Sequence, residues 1–359
     1  MSDLIASHPS SAPRARIIAR WLLVCAAAVF LMALIGAVTR LTESGLSIVE
    51  WKPVAGAIPP LSDADWQREY DLYQQSPQGQ TVNRAMEMHD FKVIYFWEWI
   101  HRFWGRLIGV IFAVPLVFFW RALPASTRPA FLGLLALGGL QGFMGWFMVK
   151  SGLVDQPMVS HYRLAAHLIL AAVIYALLLR LSLRFFVFPA TGLATPDTRR
   201  VRRFALISLG LVLTTMVWGA FVAGLDAGML YNTFPKMDAH WLPPETMQHV
   251  PVWKAFFEEP ATVQFVHRVL ALVTLCKLIV LWRLATKLEV PARAKTFASY
   301  VGLMALAQVG LGIATLLTQV NIVLATAHQG GALVLLGLLT ALVYHLTPPA
   351  TTDTTEKTA

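Results

Sequence analysis

Eight long apolar stretches restrict the folds open to this chain. They cover residues 21–38, 93–120, 130–149, 164–183, 204–225, 263–282, 297–317 and 322–344. A helix needs roughly 20 mostly apolar residues to cross a bilayer, and only helices or closed barrels satisfy their backbone groups within lipid. Charged residues make up only 14% of the chain. We therefore predict an all-α integral membrane protein with eight transmembrane helices.

The positive charge follows the pattern of membrane topology rather than that of a nucleic-acid-binding surface. Basic residues concentrate before the first helix and after the second, fourth and sixth, at Arg14, Arg16, Arg20, Arg121, Arg128, Arg199, Arg200, Arg202, Arg203, Arg283, Lys287, Arg293 and Lys295. These segments share one side of the membrane if the chain weaves through it. We expect that side to be cytoplasmic, with both termini on it, and we expect no nucleic acid partner.

The chain contains an internal repeat. GAVTRLTESGL at 36–46 aligns with GAFVAGLDAGM at 219–229, EWIHR at 98–102 aligns with QFVHR at 264–268, and Gln141, Gly145 and Ala166-His167 match Gln308, Gly312 and Ala327-His328. Each match falls on the same predicted helix of its half. Polar and glycine positions that match in order argue against a chance likeness of apolar helices. We predict two four-helix bundles related by a pseudo-two-fold axis along the membrane normal.

The repeat divides the chain into five predicted segments. Residues 21–185 form the N-terminal half and residues 204–346 form the C-terminal half. A cytoplasmic linker at 186–203 joins them, and cytoplasmic segments at 1–20 and 347–359 flank them.

Four histidines lie within predicted helices, two in each half: His101, His167, His267 and His328. Weaving places all four toward the outer face at similar depth. An ionisable group inside a bilayer is costly and usually has a partner or a function, and neutral imidazole is a strong ligand for haem iron. We predict an axial pair in each half. The alternatives are histidines hydrogen-bonded within a core and a zinc site, for which the sequence lacks a completing cluster of cysteines or carboxylates.

Charged residues accompany the histidines. Arg102 and Arg268 are matched in the repeat, and Arg106 lies one turn beyond Arg102. They are candidate partners for haem propionates, whereas the alternative for Arg102 is a salt bridge with Glu98. Glu98 precedes His101 by three residues, but its counterpart is the neutral Gln264. This asymmetry favours one catalytic and one electron-transfer pocket, and the alternative is an acid that only pairs with Arg102.

The segments EWIHRFWGR, HYRLAAHL, FVHR and AHQGG resemble the haem A synthase family over residues 17–346, and TRLTESGLSIVEWKPVAGAIPP resembles its mitochondrial and proteobacterial branch. The resemblance implies oxidation of a methyl group of haem O to the formyl group of haem A, for cytochrome oxidase assembly. It implies that haem b is bound by His267 and His328, with Arg102, Arg106 and Arg268 as further cofactor-binding candidates. Haem O would be held by His101 and His167 beside the catalytic candidate Glu98.

The resemblance also implies a location in the cell inner membrane. Candidate partners are the lipid bilayer, haem O synthase, cytochrome oxidase assembly factors, an electron acceptor that the sequence does not identify, and a second copy of the chain. Some family members have a cysteine pair in the first outer loop, but this chain has none there. A di-haem cytochrome b that carries electrons and a membrane transporter are the competing functions, and identification of the extracted haems would separate them.

Overall fold

A computed structural model describes residues 11–52, 55–153, 158–186, 195–248 and 251–348. Within these residues eight helices are long and apolar enough to cross a membrane. They are α1 (Ser11–Leu41), α2 (Met88–Phe119), α3 (Arg128–Gly152), α4 (His161–Phe185), α5 (Pro196–Gly224), α6 (Pro260–Lys287), α7 (Ala292–Leu317) and α8 (Ile322–His345). The described part of the chain contains no β-strand. The predicted all-α class and the eight membrane helices are thus confirmed.

Several helices begin earlier than their apolar stretches, because local capping extends them. Thr195 accepts a hydrogen bond from the Thr198 amide, and Pro196 occupies the first turn of α5, where its missing N–H costs nothing. Glu259 caps α6 in the same way through the amides of Ala261 and Thr262. Parts of the predicted flanking segments, at 11–20 and 196–203, are therefore helical. Residues 1–10, 187–194 and 349–359 of those segments lie outside the described residues.

Both halves show the same packing order. In the first half α1 packs on α2 and α4, and α3 packs on α4; in the second half α5 packs on α6 and α8, and α7 packs on α8. The halves meet through α1, α4, α5 and α8, whose side chains fill the main core. The two-fold relation of the bundles remains a prediction.

Close approaches fix the helices at the interface between the halves. An added Cβ at Gly337 of α8 would lie 2.9 Å from the Tyr175 hydroxyl oxygen of α4. The Gln329 amide of α8 donates to the Ala33 carbonyl of α1 at 2.6 Å. In a bilayer such small residues and interhelical hydrogen bonds hold helices together, because lipid removes most of the hydrophobic driving force.

The long connections lie at one end of the bundles, which we call the long-loop end (residues 42–87 and 225–259). Connection 42–87 contains the helices Asp63–Gln74 and Pro77–Gln80, and Tyr73 and Phe91 are completely buried in its aromatic core. Connection 225–259 contains the helix Val252–Glu258. The histidine ends of the helices meet these connections, which the sequence predicts to lie outside the cytoplasm.

Candidate functional site

The histidines of the C-terminal half face each other. His267 of α6 and His328 of α8 have ring centroids 6.5 Å apart, and the two ring planes are nearly perpendicular at 87°. Imidazole–metal bonds are about 2 Å long, so two such bonds plus the span of each ring from nitrogen to centre amount to roughly 6 Å. The pair therefore has the separation at which both imidazoles reach one metal ion.

A backbone carbonyl sets the tautomer of His267. Its Nδ1 lies 3.2 Å from the carbonyl oxygen of Thr215 on α5. A carbonyl oxygen only accepts hydrogen bonds, so Nδ1 carries the proton and Nε2 presents its lone pair. Outer partners of this kind orient metal-binding histidines and raise their basicity.

The other ring of this pair is held by an amide. The Gln308 Nε2 atom of α7 donates to the His328 backbone carbonyl at 2.8 Å and lies 3.2 Å from its Nδ1. Space for that amide comes from Gly331, where an added Cβ would lie 2.2 Å from the Gln308 Oε1 atom. Gln308 therefore positions the histidine from the neighbouring helix.

The histidines of the N-terminal half lack the ring contact of the C-terminal pair. Among the described residues, His101 and His167 make no ring contact with each other. The Gln141 Nε2 atom lies 3.2 Å from His167 Nδ1 and 3.1 Å from its backbone oxygen, as Gln308 does in the other half. The positioning amide is thus repeated, whereas the face-to-face arrangement of the rings is not.

Each of the four histidine rings lies against a glycine of a neighbouring helix. An added Cβ would lie 2.9–3.2 Å from the ring at Gly36 for His101, Gly145 for His167, Gly219 for His267 and Gly312 for His328. Those distances are shorter than ordinary van der Waals contact. The repeat matches Gly36 with Gly219 and Gly145 with Gly312, so all four rings are seated by the same device. Gly142 and Gly310, also on α3 and α7, contact no ring.

Glu98 is buried, and its carboxylate makes three hydrogen bonds. It accepts from the Ser47 hydroxyl at 2.7 Å, from the Ile48 amide at 2.6 Å and from the Arg102 guanidinium at 2.6 Å. Only 2% of the Glu98 side chain is exposed, against 12% for Arg102. The salt bridge considered as the alternative role is therefore formed. The contacts with Ser47 and Ile48 attach α2 to connection 42–87, whereas the contact with Arg102 lies within α2.

Arginines complete the attachment. Arg102 donates to the carbonyls of Ile48 at 2.8 Å and Glu50 at 3.3 Å, and Arg106 donates to the Lys52 carbonyl at 3.0 Å. Beside them, a hydrogen bond from Lys52, together with the charges of Lys52 and Arg68, holds the pKa of Glu50 below its usual range. Both guanidiniums thus hold connection 42–87 onto α2.

The C-terminal half repeats this attachment with a neutral amide, Gln264, in place of the Glu98 carboxylate. Arg268 donates to the carbonyls of Tyr231 at 2.7 Å and Thr233 at 2.8 Å, and the Gln264 amide donates to the Tyr231 carbonyl at 3.1 Å. Tyr231 and Thr233 stand 183 positions after Ile48 and Glu50, the same offset that separates Gly219 from Gly36. The equivalent arginines therefore hold equivalent carbonyls.

Sequence reasoning missed some partners of the site. Thr215 contributes a backbone carbonyl, which has no sequence signature. Ser47 corresponds to the apolar Leu230 in the repeat, so the repeat does not single it out. Arg40 was also missed; it joins the halves by donating to the Ala223 carbonyl at 2.7 Å and to Asp226 Oδ1 at 2.6 Å. The available signal was the alignment of Arg40 with Ala223 in the repeat. An arginine that is present in only one half needs a partner that the repeat does not supply.

Comparison with known proteins identifies the family. The family described as "Cytochrome oxidase assembly protein" (COX15-CtaA) matches residues 19–340. The chain is 52% identical over 344 residues to a "Heme A synthase" of Rhodospirillum centenum, which covers 95% of this chain and 91% of the relative. The chain belongs to the haem A synthase family. It is also 43% identical to the human "Heme A synthase COX15", over 92% of this chain and 82% of the relative. The predicted family is thus confirmed, across bacterial and human relatives.

Proposed function

We propose that the chain is a haem A synthase, which oxidises a methyl group of haem O to the formyl group of haem A in cytochrome oxidase assembly. The observation that carries the proposal is the pair of histidines in each half, in a member of the haem A synthase family. With water as the oxygen source, conversion of a methyl to a formyl group takes up one water and releases four electrons and four protons. A separate electron acceptor, which the chain does not identify, takes the electrons.

The C-terminal pair fits a resident haem b. His267 Nδ1 lies against the Thr215 carbonyl of α5, and His328 Nδ1 lies against the Gln308 amide of α7. The 6.5 Å separation of the two rings suits one iron. The Arg268 Nε atom is buried and has no hydrogen-bond partner among the described residues, so an anionic propionate would satisfy it. Haem b bound here would supply a route for the electrons released in the neighbouring half. His267 and His328 would be its ligands, and Arg268 would contact its periphery.

The N-terminal pair fits the substrate. His101 and His167 would hold the haem O iron, with Arg102 and Arg106 toward its propionates. A site that exchanges its porphyrin at every turnover suits two ligands that make no ring contact with each other. Glu98 would act on protons released near the oxidised methyl, and its bonds to Ser47 and Ile48 would keep the connection closed above the ring and exclude water.

Expression together with a haem O synthase tests the proposal. We expect cells that carry both proteins to accumulate haem A, measured by chromatography of the extracted haems. The same cells with His101→Ala should stop at haem O while the purified variant still carries haem b. Folded wild-type protein that yields only haem O and haem B, with its electron partners present, would contradict the proposal and favour a di-haem electron carrier.

The orientation in the inner membrane is part of the proposal. The arginine distribution supports cytoplasmic termini and places connections 42–87 and 225–259 on the opposite side. Single cysteines in these connections should react with a membrane-impermeant thiol reagent added to that side. Labelling only from the cytoplasmic side would overturn the orientation. A haem O synthase, cytochrome oxidase assembly factors and a second copy of the chain remain the expected partners.

A further inference from the structure

The two bundles differ in how their second and third helices pack. In the C-terminal half α6 and α7 pack along each other, whereas α2 and α3 have few contacts. Trp282 of α6 lies over Gly302 of α7, where an added Cβ would meet the Trp282 ring at 2.3 Å. The Trp282 indole also donates to the Ser299 hydroxyl at 3.1 Å. No side-chain hydrogen bond joins α2 to α3 among the described residues. Their one ring contact is Phe112 with Phe131, at the end opposite the long loops.

Beyond this contact, toward the histidines, the facing sides of α2 and α3 carry glycines. Gly109 shares a face of α2 with Phe112, three residues away, and Gly138 shares a face of α3 with Phe131, seven residues away. An added Cβ at either glycine would meet no atom of a neighbouring element within 4 Å. Seven residues further on the same face of α3, Gly145 touches His167. Exposed glycines therefore line the gap between α2 and α3, on the face of α3 that leads to the N-terminal histidines.

The matching positions of the other half carry larger side chains. Gly109 corresponds to Leu275 and Gly138 to Ala305, which is 2% exposed, and Gly142 corresponds to Val309. Gly109, Gly138 and Gly142 are exposed. The same fold is thus filled in the half proposed for haem b and open in the half proposed for haem O.

We infer that haem O enters the N-terminal bundle sideways from the lipid, between α2 and α3, and that haem A leaves by the same opening. This inference rests on the proposed function. The occupant is the largely apolar porphyrin substrate, because the gap lies between two membrane-spanning helices, beside the proposed substrate ligands. A resident cofactor needs no such opening, and the half proposed to hold one has none.

Tethering α2 to α3 tests the route. In a background with Cys25 and Cys276 changed to alanine, Gly109→Cys and Gly138→Cys are combined and joined by reducible bis-thiosulfonate reagents of short and long span. The matched control joins Leu275→Cys to Ala305→Cys. The first readout is the rate at which purified protein that holds haem b takes up haem O from lipid vesicles. The second is the haem b absorption spectrum.

The short tether between α2 and α3 should slow haem O uptake by about tenfold or more, as expected when an opening motion limits exchange. Reduction of the tether should restore the rate. The tether between α6 and α7 should leave uptake unchanged, and neither should alter haem b. The lateral route would be overturned if the tethered protein took up haem O as fast as the untethered protein, or if neither reagent joined α2 to α3. If untethered protein does not take up haem O at all, the proposed function fails instead.

Discussion

The two halves share a framework and differ in what fills it. Each seats two histidines against glycines, positions one of them with a glutamine amide, and attaches its long connection through an arginine that follows the first histidine. Yet the C-terminal rings face each other at 6.5 Å, and the N-terminal rings make no such contact in the described structure. The common parts define one framework that the chain uses twice. Under the proposed function, the differences separate a site that keeps its haem from a site that exchanges it.

A second difference lies above the histidines. Connection 42–87 is held by a buried carboxylate, and connection 225–259 by the neutral Gln264 at the equivalent position. The carboxylate accepts from an amide, a hydroxyl and a guanidinium, while the glutamine amide donates to a carbonyl. One attachment therefore contains a buried ionisable group beside a histidine, and the other accomplishes the attachment without one.

The largest effect should come from removal of a C-terminal histidine. His267→Ala or His328→Ala should abolish most of the low-spin haem b absorbance, because each removes one of two proposed axial ligands from a pair set for one iron. The matched variants His101→Ala and His167→Ala should retain it. Haem content and reduced-minus-oxidised spectra of the purified proteins measure this. Unchanged spectra in both C-terminal variants would remove the assignment of the halves.

The next effect concerns Glu98, which Glu98→Gln makes like its counterpart Gln264. If the ionisable group acts on protons, haem A formed per mole of haem-b-containing protein should fall by about 10²-fold or more. The control is Ser47→Ala, which removes one bond to the connection but keeps the carboxylate, and it should stay near normal.

Two outcomes would assign Glu98 to the attachment alone. In one, Glu98→Gln lowers the protein yield while specific activity stays near normal. In the other, Ser47→Ala loses as much activity as Glu98→Gln. The second outcome would show that the closed connection matters and the proton-transfer capacity does not.

A smaller effect is expected when the glycine seats are filled. Gly219→Ala and Gly312→Ala place a Cβ 3.1 and 2.9 Å from the rings of His267 and His328, so the rings must shift. Overpacking of this kind costs about 1–3 kcal/mol. Haem b should be retained less tightly and its midpoint potential should change. Gly310→Ala is the control, because its Cβ would meet no neighbour within 4 Å; an equal change there would indicate a general effect on α7.

Sequence alone predicted the helices, the repeat and the pairing of histidines, because apolar length and rare polar residues in lipid carry strong signals. It placed Gly145 and Gln141 on the right helix and favoured close helix packing for Gly145, but it did not predict their contacts with His167, since ring contacts depend on helix rotation. The carbonyl of Thr215 and the amide of Ile48 belong to the backbone and have no residue signature. Glu98 showed as an asymmetry, but its partners lie in a connection whose path the sequence does not determine.

The smallest effect should come from the ion pair between the halves. Arg40 and Asp226 are 28% and 61% exposed, and pairs this accessible contribute about 0–1 kcal/mol. Asp226→Asn removes the charge but keeps an oxygen acceptor, so the melting temperature in detergent should fall slightly, and less at high salt because ions screen exposed pairs. Arg40→Gln should cost somewhat more, since it also removes a donor to the Ala223 carbonyl, a bond worth roughly 0.5–1.5 kcal/mol. The repeat counterpart of Asp226 serves as the control. Glu43→Gln, at the equivalent position, breaks no ion pair among the described residues and should leave the melting temperature unchanged. A large loss in Asp226→Asn that persists at high salt would contradict this view, because it would mean that a surface pair, rather than the apolar packing of α1, α4, α5 and α8, sets the relation of the halves.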